Sequence, residues 1–198
     1  MPVKLTPAFE QWFKGSKVVD TGGKPLVVYH GYAGRKFNIF KDQYAGRNNN
    51  NDLSSMGFFF TPDPTTADDY AYQAAWNIAP EDKEFIGAGQ RMHEVYLSLQ
   101  NPVAIDGSKI SSDAAGVKEL VGIISKAKAS GSDGAILRGW EDGSGKHDQY
   151  IAFSSNQIKS AVGNNGDFDM ANPDIRFSMA DVNEVEDEAD NDTGAPCP

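Results

Sequence analysis

The stretch VVYHGY, residues 27–32, is a short run of β-forming residues that leads into a histidine and a glycine. Val27, Val28 and Tyr29 have the composition of a buried strand, and Gly31 is expected to end that strand. A histidine at a strand end is often a structural residue with satisfied hydrogen bonds. A glycine beside it also allows a ligand to approach the backbone closely. The rest of the sequence decides between these two interpretations.

Short strands and helices follow one another along the chain on both sides of this stretch. Apolar or alternating segments bounded by turn residues predict further strands at GFFF (57–60), HEVYLSLQNPVAID (93–106), DGAILRG (133–139) and QYIAFS (149–154). Helical spacing predicts helices at 7–14, from an N-cap at Thr65, and at 114–130. Polar, glycine-containing segments predict loops at 46–55 and 140–148. The pattern indicates an α+β fold with two packed antiparallel sheets and a few flanking helices.

The negative charge of the chain is concentrated at its carboxyl end. The 198 residues carry a net charge of −10, and seven acidic residues with no basic one lie between Met179 and Pro198. This composition predicts a domain over residues 1–178 and a disordered acidic tail over 179–198. Without the tail, 21 acidic residues stand against 18 basic ones. Such a balance argues against tight, charge-driven binding of nucleic acid.

Several classes of protein and of site are excluded by the sequence. The single cysteine, Cys197, cannot staple the fold, and the amino-terminal region lacks the apolar core of a secretory signal. We therefore expect a cytoplasmic protein with no membrane contact. GxSxG, Walker A, GxGxxG and HExxH motifs are absent. His30, His93 and His147 lack metal-ligand spacing, so no metal site is expected, and the last two are expected to be structural or exposed.

Three separated groups of strand-borne residues then form an ordered set of motifs. They are His30-Gly31, Gly57–Phe60 with Ala67–Ala71, and Gln149–Phe153 leading into Gln157–Ala161. In this order, and with a GNNGDFD…NPDI ending, they resemble the diphtheria-toxin-like ADP-ribosyltransferases, the superfamily that includes the poly(ADP-ribose) polymerases. The likeness is greatest to the group found in polyvalent proteins of bacteria, phages and other mobile elements. It extends over about residues 7–178.

The resemblance implies an ADP-ribosyltransferase-like split β-sandwich that uses NAD as substrate and releases nicotinamide. It assigns His30 to a ribose hydroxyl of the adenosine half and the backbone of Gly31 to the nicotinamide carboxamide. Tyr70 would stack on the nicotinamide ring. Gln149 occupies the position of the catalytic glutamate, which binds the ribose 2′-hydroxyl and stabilises positive charge.

The sequence departs from the family pattern at two of these positions. Phe59 stands where the family has tyrosine, which keeps an aromatic ring for the cofactor and loses a hydroxyl. Gln149 is neutral where the family has a carboxylate, and in the family this loss accompanies mono- rather than poly-ADP-ribosylation. The family's target-recognition loop falls on four further residues: Trp140, Glu141, Asp142 and Asp148.

Three functions remain open at this point. The first is mono-ADP-ribosylation of a macromolecule, a protein or a nucleic acid. The second is hydrolysis of NAD at the same site, which a short, closed target loop would favour. The third is a non-catalytic NAD-binding or interaction module of a phage or mobile-element protein, which the two departures favour. The sequence identifies neither the acceptor nor the cell, its own or a host's, in which the protein works.

Overall fold

The computed structural model describes residues 6–42, 52–78, 89–164, 166 and 168–176. The α-helices within this part of the chain are α1 (Pro7–Phe13), α2 (Pro64–Asn77) and α3 (Ala114–Ala129). The strands are β1 (Val28–Ala33), β2 (Phe58–Phe60), β3 (Gln90–Leu97), β4 (Val103–Asp106), β5 (Gly134–Asp142), β6 (Gly145–Ala152) and β7 (Ile158–Ser160). These elements confirm the α+β fold.

The strands form two sheets. The first has the order β1-β3-β7 and is antiparallel throughout, and the second has the order β2-β6-β5-β4. Its β2–β6 and β5–β6 pairs are antiparallel, whereas β4 and β5 are parallel. That pair is parallel because α3 connects the two strands, and a helical crossover returns the chain in its original direction. No helix in the described ranges is long and apolar enough to cross a membrane.

Three apolar clusters hold these layers together. Alternate residues of β3 and the segment after it, Val95, Leu97 and Leu99, are fully buried in the cluster that joins the two sheets. This confirms the period-2 pattern seen in the sequence. A second cluster packs α3, through Leu120 and Ile124, on the outer face of the four-stranded sheet. The third covers the outer face of the other sheet with the aromatic side chains of α1.

Helix α2 begins two residues earlier than the sequence suggested. Asp63, not Thr65, is the N-cap, and its Oδ1 accepts a hydrogen bond of 2.8 Å from the backbone N–H of Thr65. Pro64 occupies the first helical position, where its missing N–H costs nothing. An aspartate followed by proline is therefore the better start signal.

The QIKSA motif ties together segments that are distant in the sequence. Gln157 donates to the carbonyl oxygens of Ser98 (3.3 Å) and Asp133 (2.8 Å) and accepts from two backbone N–H groups. Lys159 is fully buried, and its Nζ donates to the carbonyl oxygens of Asn172 and Asp174. Burial lowers the pKa of this lysine. Through these hydrogen bonds, the motif holds the NPDI segment against the rest of the fold.

Two local predictions are wrong. Gly31 does not end the first strand, because β1 continues through it to Ala33. Residues 140–148 are not a loop, because β5 and β6 continue until only Gly143 and Ser144 separate them. Most of the predicted loop at 46–55 and the proposed acidic tail lie outside the described residues, although Asp52–Met56 forms a 3-10 helix.

Candidate active site

The two sheets touch where β1 meets the residue that follows β2. The Tyr29 N–H donates to the Thr61 carbonyl oxygen at 2.8 Å, and the Thr61 N–H donates back to Tyr29 at 3.0 Å. Phe60, next to Thr61, pairs with Tyr150 of β6, the sequence neighbour of Gln149. We call the region bounded by Gly31, Tyr70 and Gln149 the candidate site.

His30 bridges the two sheets beside this junction. Its Nδ1 lies 2.8 Å from the carbonyl oxygen of Phe59, an acceptor, so Nδ1 carries the proton. The ring packs among aromatic side chains, with centroid distances of 5.1 Å to Phe40 and 5.5 Å to Phe60. Burial lowers the pKa of His30, against the smaller opposing effect of the Phe59 hydrogen bond. The half-buried ring is therefore neutral at pH 7, and Nε2 is an acceptor.

Gly31 has one role on its side-chain face and a different one on its backbone edge. A Cβ atom here would lie 1.7 Å from the carbonyl oxygen of Ala67 and 3.0 Å from the backbone nitrogen of Ala71. The glycine is thus required by the close approach of α2. Successive residues of a strand direct their backbone groups to opposite edges. Gly31 therefore directs its N–H and C=O to the same edge as Tyr29, away from β3.

Four polar side chains from α2, β5 and β6 form the other part of the candidate site. The Tyr70 hydroxyl donates to Asp142 Oδ2 at 2.6 Å and lies 3.1 Å from His147 Nε2. The Nε2 of Gln149 lies 2.9 Å from the Tyr70 oxygen, 3.1 Å from His147 Nε2 and 3.3 Å from Asp142 Oδ2. We call these four residues the tetrad.

One acceptor of the tetrad has no partner among the described residues. Gln149 is only 5% exposed, and its Oε1 is buried without a hydrogen bond. The amide nitrogen is assigned to the opposite side because the Asp142 carboxylate there only accepts hydrogen bonds. Buried polar atoms are almost always paired. The Oε1 of Gln149 is therefore the acceptor of this site that lacks a hydrogen-bond donor, which a ligand could supply.

Tyr70 remains protonated under all physiological conditions. Burial, together with its hydrogen bond to Asp142, raises the pKa of the phenol far above its usual value. Its ring meets the His147 ring edge-on at 5.9 Å. The hydroxyl is accordingly a fixed donor to Asp142 and a fixed acceptor for Gln149.

The other predicted site residues lie in different environments. Phe59 is half-buried and packs with the cluster under α3, on the strand face that it shares with Ile151. Trp140 is 3% exposed within that same cluster, so its side chain is not available to a target. Asp148, next to Gln149 on β6, binds Arg138 at 2.6 Å and the Gly139 N–H at 2.8 Å. Glu141 is exposed on the β5–β6 hairpin.

Sequence reasoning missed His147 as a member of the site. Its Nδ1–H donates to the Gly145 carbonyl oxygen at 3.0 Å, which leaves Nε2 as the acceptor that faces Gln149. Residues two apart on a strand share a face. Had the strand predicted at 149–154 been extended back to residue 147, His147 would have been placed beside Gln149.

Comparisons with known proteins give one family. A family model described as ADP-ribosyltransferase in polyvalent proteins matches residues 20–168, which include β1, α2 and the whole tetrad. No curated protein and no solved structure matches the chain. Among the described residues, no group of three or more histidine, cysteine or acidic side chains is arranged to hold a metal ion.

Proposed function

Because this chain belongs to the ADP-ribosyltransferases of polyvalent proteins, we propose that it transfers a single ADP-ribose from NAD to a macromolecular acceptor. The observation that carries the proposal is the unpaired, buried Oε1 of Gln149. It stands at the position of the family's catalytic glutamate, and it is hydrogen-bonded to Tyr70 of the helix that packs on Gly31. A ribose hydroxyl would supply the missing donor.

In the proposed reaction the bond between the ribose C1′ and the nicotinamide nitrogen breaks, and its electron pair goes to the nicotinamide ring. The ribose then carries oxocarbenium character until a nucleophile of the acceptor attacks C1′ and loses its proton. Gly31 would hold the carboxamide through its backbone N–H and C=O. The Tyr70 ring would stack on the nicotinamide. Gln149 Oε1 would accept from the ribose 2′-hydroxyl and direct its dipole toward the developing charge.

His30 fits the adenosine half of NAD as an acceptor. With the proton held on Nδ1 by Phe59, Nε2 accepts from a ribose hydroxyl without any change of protonation. The lowered pKa of His30 keeps the ring in this neutral form around pH 7. The role of His30 is therefore to orient the substrate, since it neither gains nor loses a proton.

Transfer of a single unit follows from residue 149. In related enzymes the glutamate at this position accompanies chain elongation, and here it is glutamine. A neutral amide cannot act as a base toward the hydroxyl of a bound ADP-ribose acceptor. We therefore expect one ADP-ribose per acceptor site.

Hydrolysis of NAD is a second candidate, and one observation favours it. The segment expected to recognise a target is a hairpin with a two-residue turn at Gly143 and Ser144. Its Asp142 and Trp140 are engaged within the protein, which leaves Glu141 as the exposed acid of that set. A short hairpin offers less surface to a macromolecule, and water would then be the acceptor.

One experiment separates these functions. The protein is incubated with NAD labelled in the adenylate half, with and without cell lysate, and free nicotinamide is measured. Label that becomes macromolecular and is released by protease alone or by nuclease alone identifies a protein or a nucleic-acid acceptor. Equal nicotinamide release in both samples, without incorporation, contradicts the transferase and supports the hydrolase. No release together with no NAD binding supports the non-catalytic module. Gln149→Ala serves as the control for activity from a contaminant.

A further inference from the structure

We propose that Asp142 is the positioning residue of this site: its carboxylate fixes the Gln149 amide with Oε1 facing the ribose and supplies the negative charge that residue 149 lacks. This inference rests on the proposed function. It gives Asp142 a role different from target recognition. It also explains how a chain with glutamine at the family's glutamate position can retain a charged site.

Asp142 lies at the centre of the tetrad. Its Oδ2 accepts from Tyr70 at 2.6 Å, lies 3.3 Å from Gln149 Nε2 and is 4.0 Å from His147 Nε2. Its other oxygen accepts the Ser144 N–H at 2.9 Å, in the turn that joins β5 to β6. The side chain is about four-fifths buried, with 21% of its surface exposed. Both carboxylate oxygens of Asp142 are thus fixed in position by hydrogen bonds.

The donors and acceptors of the tetrad fit only one arrangement of the Gln149 amide. Tyr70 gives its proton to Asp142, so its oxygen accepts, and His147 Nε2 accepts because Nδ1 holds the ring proton. Three acceptors therefore surround one amide nitrogen, which donates two hydrogens. A reversed amide would place Oε1 against Asp142 and His147, where neither group donates. Asp142 thereby fixes which atom of Gln149 is offered to the ligand.

The carboxylate also reaches the substrate electrostatically. Tyr70 and Gln149 are both hydrogen-bonded to it, so its charge polarises the two groups expected to line the nicotinamide ribose. A negative charge held in a partly dry site favours a transition state with positive charge at C1′ more than the ground state. Removing this negative charge should therefore lower kcat by a larger factor than it lowers the affinity for NAD.

The test moves the carboxylate from residue 142 to residue 149. Asp142→Asn should lower kcat for nicotinamide release at least about tenfold, with KM for NAD changed less than about threefold. Gln149→Glu alone should not exceed wild type, because two carboxylates about 3 Å apart repel and one is forced to bind a proton. Asp142→Asn combined with Gln149→Glu restores one charge and should recover most of the lost kcat. Asp106→Asn, which removes a surface carboxylate paired with Lys109, is the matched control and should match wild type.

Two kinetic outcomes would overturn the inference while leaving the proposed function intact. One is a kcat of Asp142→Asn within about twofold of an active wild type, which is too small for a lost charge. The other is a double variant no more active than Asp142→Asn. Thermal melts of all four variants verify that each is folded before it is assayed.

A second measurement does not depend on activity. The side-chain amide protons of Gln149, identified by their absence in Gln149→Glu, should exchange slowly in 15N-resolved spectra of wild type. They should lose protection in Asp142→Asn and keep it in Asp106→Asn. Loss of protection supports the positioning contact even in a protein that releases no nicotinamide, in which case the proposed function fails by itself. Unchanged protection overturns the inference.

Discussion

The backbone of Gly31 lies so close to helix α2 that a Cβ atom would be 1.7 Å from the carbonyl oxygen of Ala67. This contact links the strand that carries His30 to the helix that carries Tyr70. The distance between these two elements therefore depends on the glycine.

Gly31→Ala should therefore destabilise the whole domain. The added methyl group meets backbone atoms of Ala67 and Ala71, which cannot move without shifting α2. We expect the free energy of unfolding to fall by about 3 kcal/mol or more, the upper range for overpacking. Urea unfolding monitored by tryptophan fluorescence measures the change.

Gly122→Ala is the matched control for that substitution. Gly122 lies inside α3, and nothing lies within 4 Å of a Cβ placed there. Alanine should raise stability by about 0.5–1 kcal/mol through helix propensity. Equal effects of the two substitutions would show that the α2 contact is not what requires Gly31.

His30 has a structural function and a proposed binding function, which two substitutions can separate. His30→Asn keeps a nitrogen donor near the position of Nδ1 for the Phe59 carbonyl and removes Nε2. It should weaken NAD binding about tenfold while costing less stability than His30→Ala. The alanine variant loses the hydrogen bond and the contacts with Phe40 and Phe60, so it should cost about 2 kcal/mol or more. Calorimetric titration with NAD and thermal melts provide the two readouts, and unchanged NAD affinity of His30→Asn would remove Nε2 from the site.

His93 should make the protein less stable in mild acid. Burial, with a smaller effect of His30, lowers the pKa of His93 to about 4, and Nε2 has no partner among the described residues. In the unfolded chain the His93 side chain binds a proton near pH 6.5. The contribution of neutral, buried His93 to stability is therefore complete above that pH and is lost as the pH falls toward 4. Between pH 7 and pH 5 the loss attributable to this group is about 2 kcal/mol.

His93→Gln isolates that contribution because glutamine does not titrate. Both proteins contain the same carboxylates, so the difference between their losses of stability from pH 7 to pH 5 reports His93. The wild type should lose about 2 kcal/mol more than the variant, measured by urea unfolding at both pH values. Parallel losses would mean that His93 titrates normally in the folded protein.

Elements with a clear local pattern could be predicted from the sequence, whereas their contacts could not. Alternation in β3 and helical spacing in α3 are local properties, and both elements form where they were expected. The 140–148 hairpin was mistaken for a loop because Gly143 and Gly145 dominate its composition, although a two-residue turn needs such residues.

The contacts within the candidate site could not be predicted from the sequence either. Motif order placed Gly31, Tyr70 and Gln149 in one family pattern, but the hydrogen bonds of Tyr70 with Asp142 and with His147 join residues more than 70 positions apart. Side-chain direction and donor pairing across that distance are set by tertiary packing. The close approach of α2 to Gly31 was likewise not predicted, because nothing local in the sequence indicates that α2 packs on this residue.

Tyr70 offers the last test, because its ring and its hydroxyl are expected to serve different steps. Tyr70→Phe keeps a ring for stacking and removes the hydroxyl that donates to Asp142 and accepts from Gln149. It should bind NAD with affinity close to that of wild type and release nicotinamide about tenfold more slowly, since a hydrogen bond to a charged group is lost. Tyr70→Ala removes the ring as well and should weaken NAD binding too. Tyr72→Ala is the control, since this tyrosine lies two residues further along α2 and is 57% exposed. Binding by calorimetry and turnover by nicotinamide release, measured on all three variants, give the comparison. If Tyr70→Phe turns over NAD as fast as wild type, the hydroxyl has no part in the reaction, and stacking would be the whole contribution of Tyr70.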